Sequence, residues 1–235
     1  MLDLSFSRVK TYQHCPRQYY YGYVLKLPHI RRDYHVLGEF VHRVLELWLR
    51  QGYSKELLQA SFTRVLKERL GRELTRFNKL LEAKRLVKEY YEKFTPPVAI
   101  KGCEQKFRFP VSNGTYAFRI RGVIDRIDEI DSDTYLVLDY KTSKNIAYVD
   151  PLQLKLYVLV TKLRFKDKNI KAGYVFLRHG SQTAYAFTDE ELEGAIENIV
   201  QTGEAMLADK QWHINRGPLC NYCDYQSRCY SEAKQ

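Results

Sequence analysis

An imidazole (His42), two carboxylates (Asp125 and Asp139) and an amine (Lys141) are the residues of this chain whose types suit hydrolysis of a phosphodiester. In Tyr135-Leu-Val-Leu-Asp-Tyr-Lys141, strand alternation places Asp139 and Lys141 on one face and Leu138 and Tyr140 on the other, so a carboxylate and an ammonium meet at a strand end. Asp125 follows an apolar run in Arg121-Gly-Val-Ile-Asp-Arg-Ile127, and a hairpin brings it beside the next strand. Two carboxylates and the backbone carbonyl of Tyr140 suit magnesium, and His42 makes manganese equally acceptable. A divalent ion there polarises a phosphate and lowers the pKa of a water, which leaves Lys141 to orient that water or to stabilise developing charge.

The cysteines form a second constellation. Cys15 stands alone near the start of the chain, while Cys220, Cys223 and Cys229 form a C-x2-C-x5-C cluster at its end. Four thiolates drawn from both ends predict a metal centre that ties them together. Zinc and a [4Fe-4S] cluster both accept such a set, and the spacing leaves the two open. Cys103, the fifth, reads as a buried small side chain at the start of a strand.

The 235 residues suit one main domain with a substantial core. A formal net charge of +10 favours a polyanionic partner, either nucleic acid or an anionic membrane surface. Asp3, Arg8 and Lys10 interrupt the first ten residues, so they do not read as a signal segment, and no apolar run approaches the ~20 residues of a membrane span. The expectation is a cytoplasmic protein without a membrane partner. In that reducing compartment grouped cysteines are metal ligands before they are disulfides. Nothing in the sequence bears on oligomeric state.

The elements that must position these groups are legible in outline. Helix is expected from Ser7 to Tyr23 with a restart at Pro16, from Leu37 to Leu49 with His42 beside the apolar face, and over Lys55 to Phe94 with Gly71 as a dividing point. Pro96 and Pro97 end the helical part. Strands follow at Gly102–Phe109, Tyr116–Asp128 and Tyr135–Lys141, then a helix over Pro151–Leu163, strands at Lys171–Leu177 and Thr183–Phe187, and a last helix capped by Asp189 and reaching Leu207. This order predicts an α/β or α+β fold around a mixed central sheet.

At this point the residues resemble a family. Ser5-Phe-Ser-Arg-Val-Lys-Thr-Tyr-Gln-His-Cys-Pro-Arg-Gln-Tyr-Tyr-Tyr21, Gly38-Glu-Phe-Val-His42, Gly122-Val-Ile-Asp-Arg-Ile-Asp128, Leu138-Asp-Tyr-Lys-Thr-Ser143, Gln153-x-x-x-Tyr157 and the terminal cysteines fall in the order seen in PD-(D/E)XK nucleases of the RecB/AddB type that carry an iron–sulfur cluster. The resemblance implies a restriction-endonuclease-like core over 98–208, a mainly helical part over 1–97 and a cluster-binding tail over 209–235, together one nuclease domain. It implies that His42, Asp125, Asp139 and the Tyr140 carbonyl bind Mg2+ or Mn2+, that Asp125, Asp139 and Lys141 are catalytic, and that Gln153 and Tyr157 contact DNA. It favours [4Fe-4S] over zinc at Cys15, Cys220, Cys223 and Cys229, as a structural staple.

Glu104 resembles an acidic position of the family, but pairing with a basic neighbour is its preferred reading. Arg17, Arg31, Arg32, Arg119, Arg121, Arg126 and Lys144 are candidate phosphate contacts, and Tyr19, Tyr20, Tyr21 and Tyr23 are expected to pack the first helix rather than stack on bases. The activity implied is a DNA exonuclease on single-stranded ends in recombination or repair, working beside a helicase. The alternatives are the similar CRISPR adaptation nuclease, which processes DNA before spacer integration, a non-catalytic DNA-end-binding module, and a zinc-stapled RNA-processing factor.

Overall fold

The computed structural model describes residues 2–146 and 149–232, so the last three positions of the expected tail lie outside the described residues. In chain order the elements are β1 (Leu2–Leu4), α1 (Phe6–His14), α2 (Pro16–Tyr19) leading into a π-helical turn (Tyr20–Val24), α3 (Asp33–Gln51), α4 (Lys55–Lys67), α5 (Arg69–Arg76) and α6 (Leu80–Lys93). There follow β2 (Ala99–Ser112), β3 (Ala117–Glu129), β4 (Thr134–Lys141), α7 (Pro151–Arg164), β5 (Asn169–Phe176), β6 (Ser181–Gln182), α8 (Asp189–Ala208), a 3-10 turn (Pro218–Tyr222) and α9 (Gln226–Glu232). The fold is α/β with a mixed sheet. Among the described residues no helix is long and apolar enough to cross a membrane.

Two compact units divide the chain. One comprises Met1–Ile30, Arg108–Gly122 and Glu193–Gln235, and the other Arg31–Phe107 and Val123–Leu192. Strands β2 and β3 and helix α8 each run through both.

The second unit holds the nuclease-type residues. There β3 pairs antiparallel with β4 (Arg126↔Leu138), β4 pairs parallel with β5 (Asp139↔Tyr174), and β5 pairs antiparallel with β6. The two-residue period sorts β4 onto two cores: Leu136, Leu138 and Tyr140 join one cluster, and Tyr135 and Val137 the other. Against the first cluster packs α3, whose Val36, Leu37, Phe40, Val41, Val44, Leu45 and Trp48 recur at three- and four-residue intervals. The fully buried Trp48 satisfies its indole N–H on the Ser54 carbonyl at 2.8 Å, and Gly52, left-handed at φ 112°, closes the helix. Against the second cluster α7 lays Leu154, Tyr157 and Val158. Asp150 caps α7 by accepting from Leu152 N at 2.8 Å, and Pro151 starts it.

Three expectations need correction here. The long helical stretch breaks at Glu68, whose backbone is extended, and not at Gly71. Gly71 instead lies inside α5 against α4's end, where a Cβ would stand 2.1 Å from the Leu66 carbonyl oxygen, so its bareness serves close packing. The expected strand at Thr183–Phe187 is misplaced: β6 ends before it at Gln182, and the segment itself makes only scattered bonds to β5, including Thr183 N to Tyr174 O and the isolated Ala172↔Tyr185 bridge. The Thr183 carbonyl crowds the place where a Gly173 Cβ would be, so the two segments approach too closely for a regular ladder. Finally, α8 is capped by Thr188, not Asp189: Glu191 N donates to Thr188 Oγ1 and Thr188 N to Glu191 Oε2, a reciprocal box.

In the first unit, β1 lies parallel to the early half of β3 (Leu2↔Phe118, Leu4↔Ile120), and Ser5 caps α1 by accepting from Arg8 N. Cys15, extended at φ −157°, ends α1, and Pro16 starts α2 as expected. Tyr19 and Tyr21 are buried, with Tyr19 stacked on Trp212 and Tyr21 edge-on to Tyr225.

Candidate functional site

In the second unit the antiparallel register Arg126↔Leu138 carries Asp125 one step further along β3, beside the Asp139–Tyr140 peptide. Tyr140 N–H donates to Asp125 Oδ2 at 2.8 Å. Helix α3 brings His42 to the same point, with Nδ1 3.4 Å from Asp125 Oδ2 and Nε2 3.0 Å from the Tyr140 carbonyl oxygen. Glu104 completes the group: ligand atoms of His42, Glu104 and Asp125 all lie within 4.8 Å of one another. Glu104 therefore sits among the acids and not in an ion pair with a basic neighbour, which corrects the sequence reading. The cause is local, because a left-handed backbone at Glu104 (φ 48°) interrupts the alternation of β2, a strained conformation for a side-chain-bearing residue.

Asp139 is 3% exposed and heavily restrained. Its Oδ1 accepts from Gln153 Nε2 at 2.8 Å and from the Tyr157 hydroxyl at 3.3 Å. Lys141 Nζ stands 2.6 Å from Oδ2, a contact ion pair at a buried oxygen. Lys141 is steered by Gln153 Oε1, which accepts from Nζ at 2.8 Å, and by the ring of Tyr174, whose centroid is 5.1 Å away. Strand alternation thus puts Asp139 and Lys141 together, and the four-residue spacing on α7 puts Gln153 and Tyr157 over them. Tyr157, expected to contact DNA, is buried with its hydroxyl on Asp139, and Gln153 joins Asp139, Lys141 and Tyr157 by three hydrogen bonds.

The electrostatics show what concentrating these groups costs. Burial, then the charge of Asp125, outweighs the pull of His42 and pushes the Glu104 carboxyl up to about 7. Burial and Asp125 likewise push Asp139 up to about 6 against the opposing effect of Lys141. For His42 burial alone lowers the pKa, but the charge and hydrogen bond of Asp125, aided by Asp139 and Glu104, lift it to about 9. Acids that resist ionisation and an imidazole that holds its proton mark a place short of positive charge. The donor set also fits a hard divalent ion: the carboxylates of Glu104 and Asp125, one imidazole and a carbonyl, with His42 Nε2 and Tyr140 O at the separation of two adjacent ligands each ~2.1 Å from an ion; Asp139 lies beside this group and not within it. The cleft over these residues has a volume of about 580 Å³.

A family profile described as the PD-(D/E)XK nuclease superfamily matches residues 3–230. The chain belongs to that superfamily. Among similar proteins, an ATP-dependent helicase/deoxyribonuclease subunit from Streptococcus equi subsp. zooepidemicus (strain H70) is 24% identical over 244 aligned residues, covering 91% of this chain and 22% of that protein. The protein of the same name from Streptococcus pyogenes serotype M6 is 26% identical over 156 residues, covering 61% of this chain and 14% of that protein. The chain thus spans about a fifth, or less, of the length of these curated relatives. The crystal structure of SSO0001 aligns with 97% of this chain and 86% of its own at 15% identity and a TM-score of 0.47. A mixed sheet with helices on both faces is the restriction-endonuclease-like arrangement of a PD-(D/E)XK nuclease.

In the first unit Cys15, Cys220, Cys223 and Cys229 line one small cavity with Tyr21, Ile214 and Tyr225. All four are free thiols. Burial, then the neighbouring Cys15 and Cys220, raise the thiol pKa of Cys229; for Cys223, burial and the same two thiols outweigh a hydrogen bond from Tyr225 N. Four mutually opposing thiolates fit a cationic metal centre. Gly217 N–H points to Cys220 Sγ at 3.5 Å. Cys103, by contrast, is buried alone in the second unit, with its thiol pushed up to about 11 by burial.

The candidate phosphate contacts divide. Arg126 is 3% exposed, paired with Asp128 at 2.6 Å and bonded to Tyr90 and Tyr140, so it is a core residue, which corrects that expectation. Arg31 is held by Glu39 and Glu73. In the first unit Arg119 and Arg121 face Asp3, and Arg17 donates to the Trp212 carbonyl.

Proposed function

We propose that the protein is a metal-dependent deoxyribonuclease that hydrolyses phosphodiester bonds, acting as an exonuclease on single-stranded DNA ends in recombination or repair. The observation that carries this reading is the convergence of His42, Glu104 and Asp125 within 4.8 Å, next to an Asp139–Lys141 pair locked by Gln153. With Asp139 beside them, His42, Glu104, Asp125 and the Tyr140 carbonyl would hold Mg2+ or Mn2+, which supplies Lewis-acid polarisation of the scissile phosphate and a more acidic water.

The chain's own residues do the rest. Lys141, fixed between Asp139 and Gln153, donates a hydrogen bond to the attacking water or to the phosphoryl oxygen that gains charge. Asp139 and Asp125, held by Tyr157 and the Tyr140 amide respectively, keep fixed orientations, so little reorganisation accompanies reaction. Gln153, as the half-buried member, offers the remaining polar contact to the strand. Cys15, Cys220, Cys223 and Cys229 hold a [4Fe-4S] cluster that cross-links distant parts of the first unit. The names of the streptococcal relatives support DNA as substrate and a helicase as partner.

The test uses end-labelled single- and double-stranded DNA with Mg2+, Mn2+ or chelator, beside Asp139→Ala. Metal-dependent release of short products from single strands, abolished in the variant, supports the reading. Undiminished cutting by Asp139→Ala overturns it. Anaerobic purification followed by iron, sulfide and zinc analysis decides the cluster.

A further inference from the structure

Tyr34 is half exposed at 50%, near the start of α3, and lines the same cleft as His42, Glu104 and Asp125. Most of the other cleft residues are charged or carry hydroxyls, and the ring of Tyr140 is buried. An aromatic ring half open at a polar, acid-lined cleft leaves a face free for a further contact.

Its place on the helix is specific. Tyr34, Gly38 and His42 fall at i, i+4 and i+8, one ridge of α3 running from the rim to the imidazole. Gly38 interrupts that ridge with a bare backbone, and a Cβ there would come within 3.2 Å of Thr142 Oγ1, beside Lys141. The ridge therefore reads as ring, a glycine that lets α3 pack closely on Thr142, and ligand. His35 backs the ring, its own ring edge-on with centroids 4.3 Å apart.

We propose that Tyr34 is a stacking platform for an unpaired base of the substrate strand, and so a determinant of preference for single strands. This rests on the nuclease reading above and names the form of nucleic acid that the site takes. Eight residues of helix separate the ring from His42 by ~12 Å. At ~3.4 Å per stacked nucleotide, the base on Tyr34 lies about three to four nucleotides from the bond that is cut. A paired base has both faces covered by its neighbours and cannot use the ring. An unpaired one can, and stacking on an aromatic side chain tolerates any base.

The experiment crosses Tyr34 variants with abasic substrates. Single-stranded oligonucleotides carry one abasic site, moved one nucleotide at a time away from the cleaved bond, and are cut by wild-type, Tyr34→Ala, Tyr34→Phe and Tyr34→Leu protein with Mn2+. Binding is followed in parallel by fluorescence anisotropy with Ca2+ in place of Mn2+. Tyr34→Ala and Tyr34→Leu should raise KM and the dissociation constant roughly 5- to 100-fold, with kcat nearly unchanged and Tyr34→Phe close to wild type. In wild type, an abasic site three to four nucleotides from the cut should carry a similar penalty, and that penalty should vanish in Tyr34→Ala. Additive penalties, or a Tyr34→Ala affinity within twofold of wild type, overturn the proposal. So does a Tyr34→Ala effect confined to kcat, which marks a disturbance of α3 alone. If wild-type protein binds single strands through Tyr34 yet cuts nothing, the stacking site stands and the nuclease reading falls. If it cuts and Tyr34 is silent, the reverse holds.

Discussion

Replacing Gln153 by Ala removes a side chain that hydrogen-bonds both Asp139 and Lys141. The amide accepts from Lys141 Nζ at 2.8 Å and donates to Asp139 Oδ1 at 2.8 Å. A hydrogen bond to a charged group contributes about 1.5–3 kcal/mol, and the freed lysine regains rotamers among which only some point at the reacting phosphate. Asp139 keeps the Tyr157 hydroxyl, so the loss falls mainly on Lys141. If about 1.5–3 kcal/mol of positioning is lost from the transition state, the single-turnover rate drops roughly 10- to 150-fold. Gln153→Glu has the same shape and leaves Lys141 an acceptor, but it sets a carboxylate against Asp139, already pushed up to about 6 by burial and by Asp125. At neutral pH it should fall at least as far as the alanine variant. Rapid-quench cleavage of a labelled single strand under saturating Mn2+, with thermal melts to confirm folding, measures both. A folded Gln153→Ala enzyme within threefold of the wild-type rate would refute the view that this amide positions the lysine.

Three further outcomes follow from the same structure. The metal-free protein should lose stability as pH rises: His42 holds its proton in the folded state up to about 9 against 6.5 unfolded, so its contribution, full below 6.5, disappears through 9. Glu104, raised from 4.5 to about 7, acts in the same direction, its penalty complete above 7; guanidinium titrations with chelator should show the decline and saturating Mn2+ should flatten it, whereas a level metal-free profile would contradict both. Gly71→Ala should destabilise by about 2 kcal/mol or more because a Cβ meets the Leu66 carbonyl, while Gly194→Ala, inside α8 with nothing within 4 Å, should stabilise by about 0.5–1 kcal/mol. Cys220→Ser should abolish iron retention and lower the melting temperature while Cys103→Ser leaves the iron content unchanged, and equal iron in all three proteins would remove the cluster assignment.

The legible parts of this sequence were those governed by short-range periodicity. Asp139 and Lys141 share a face because a strand alternates every residue, and Gln153 and Tyr157 share one because a helix returns after four; both relations survive any tertiary arrangement. Pro16 after Cys15 and Pro151 after Asp150 mark helix starts for equally local reasons. Arg126 could not be read this way. Its neighbours Asp125 and Asp128 look like a charged surface run, yet Arg126 and Asp128 point inward together and share their charge between Tyr90 and Tyr140, a burial that only the packing of α6 makes visible. Gly71 misled because a glycine inside a polar helical stretch looks like a break when the reason for it is a carbonyl in the preceding helix.

Glu104 is the most instructive miss, since its position in the site depends on one backbone angle. Strand alternation from Cys103, which is buried, predicts that Glu104 turns outward to solvent or to a basic side chain. The left-handed conformation at φ 48° breaks that alternation, at a cost of order 1–3 kcal/mol, and delivers a third carboxyl to a point where Asp125 already repels it. Strain and repulsion both oppose the arrangement, so the rest of the fold must be holding it in place. A cation relieves the repulsion but not the strain. A Glu104→Gln variant separates the two: it keeps the backbone and removes the charge, and should make the metal-free protein more stable above pH 7 while weakening Mn2+ binding. A variant that gains no metal-free stability would mean that Asp125 and Glu104 do not interact, and the acidic group would then be an accident of packing.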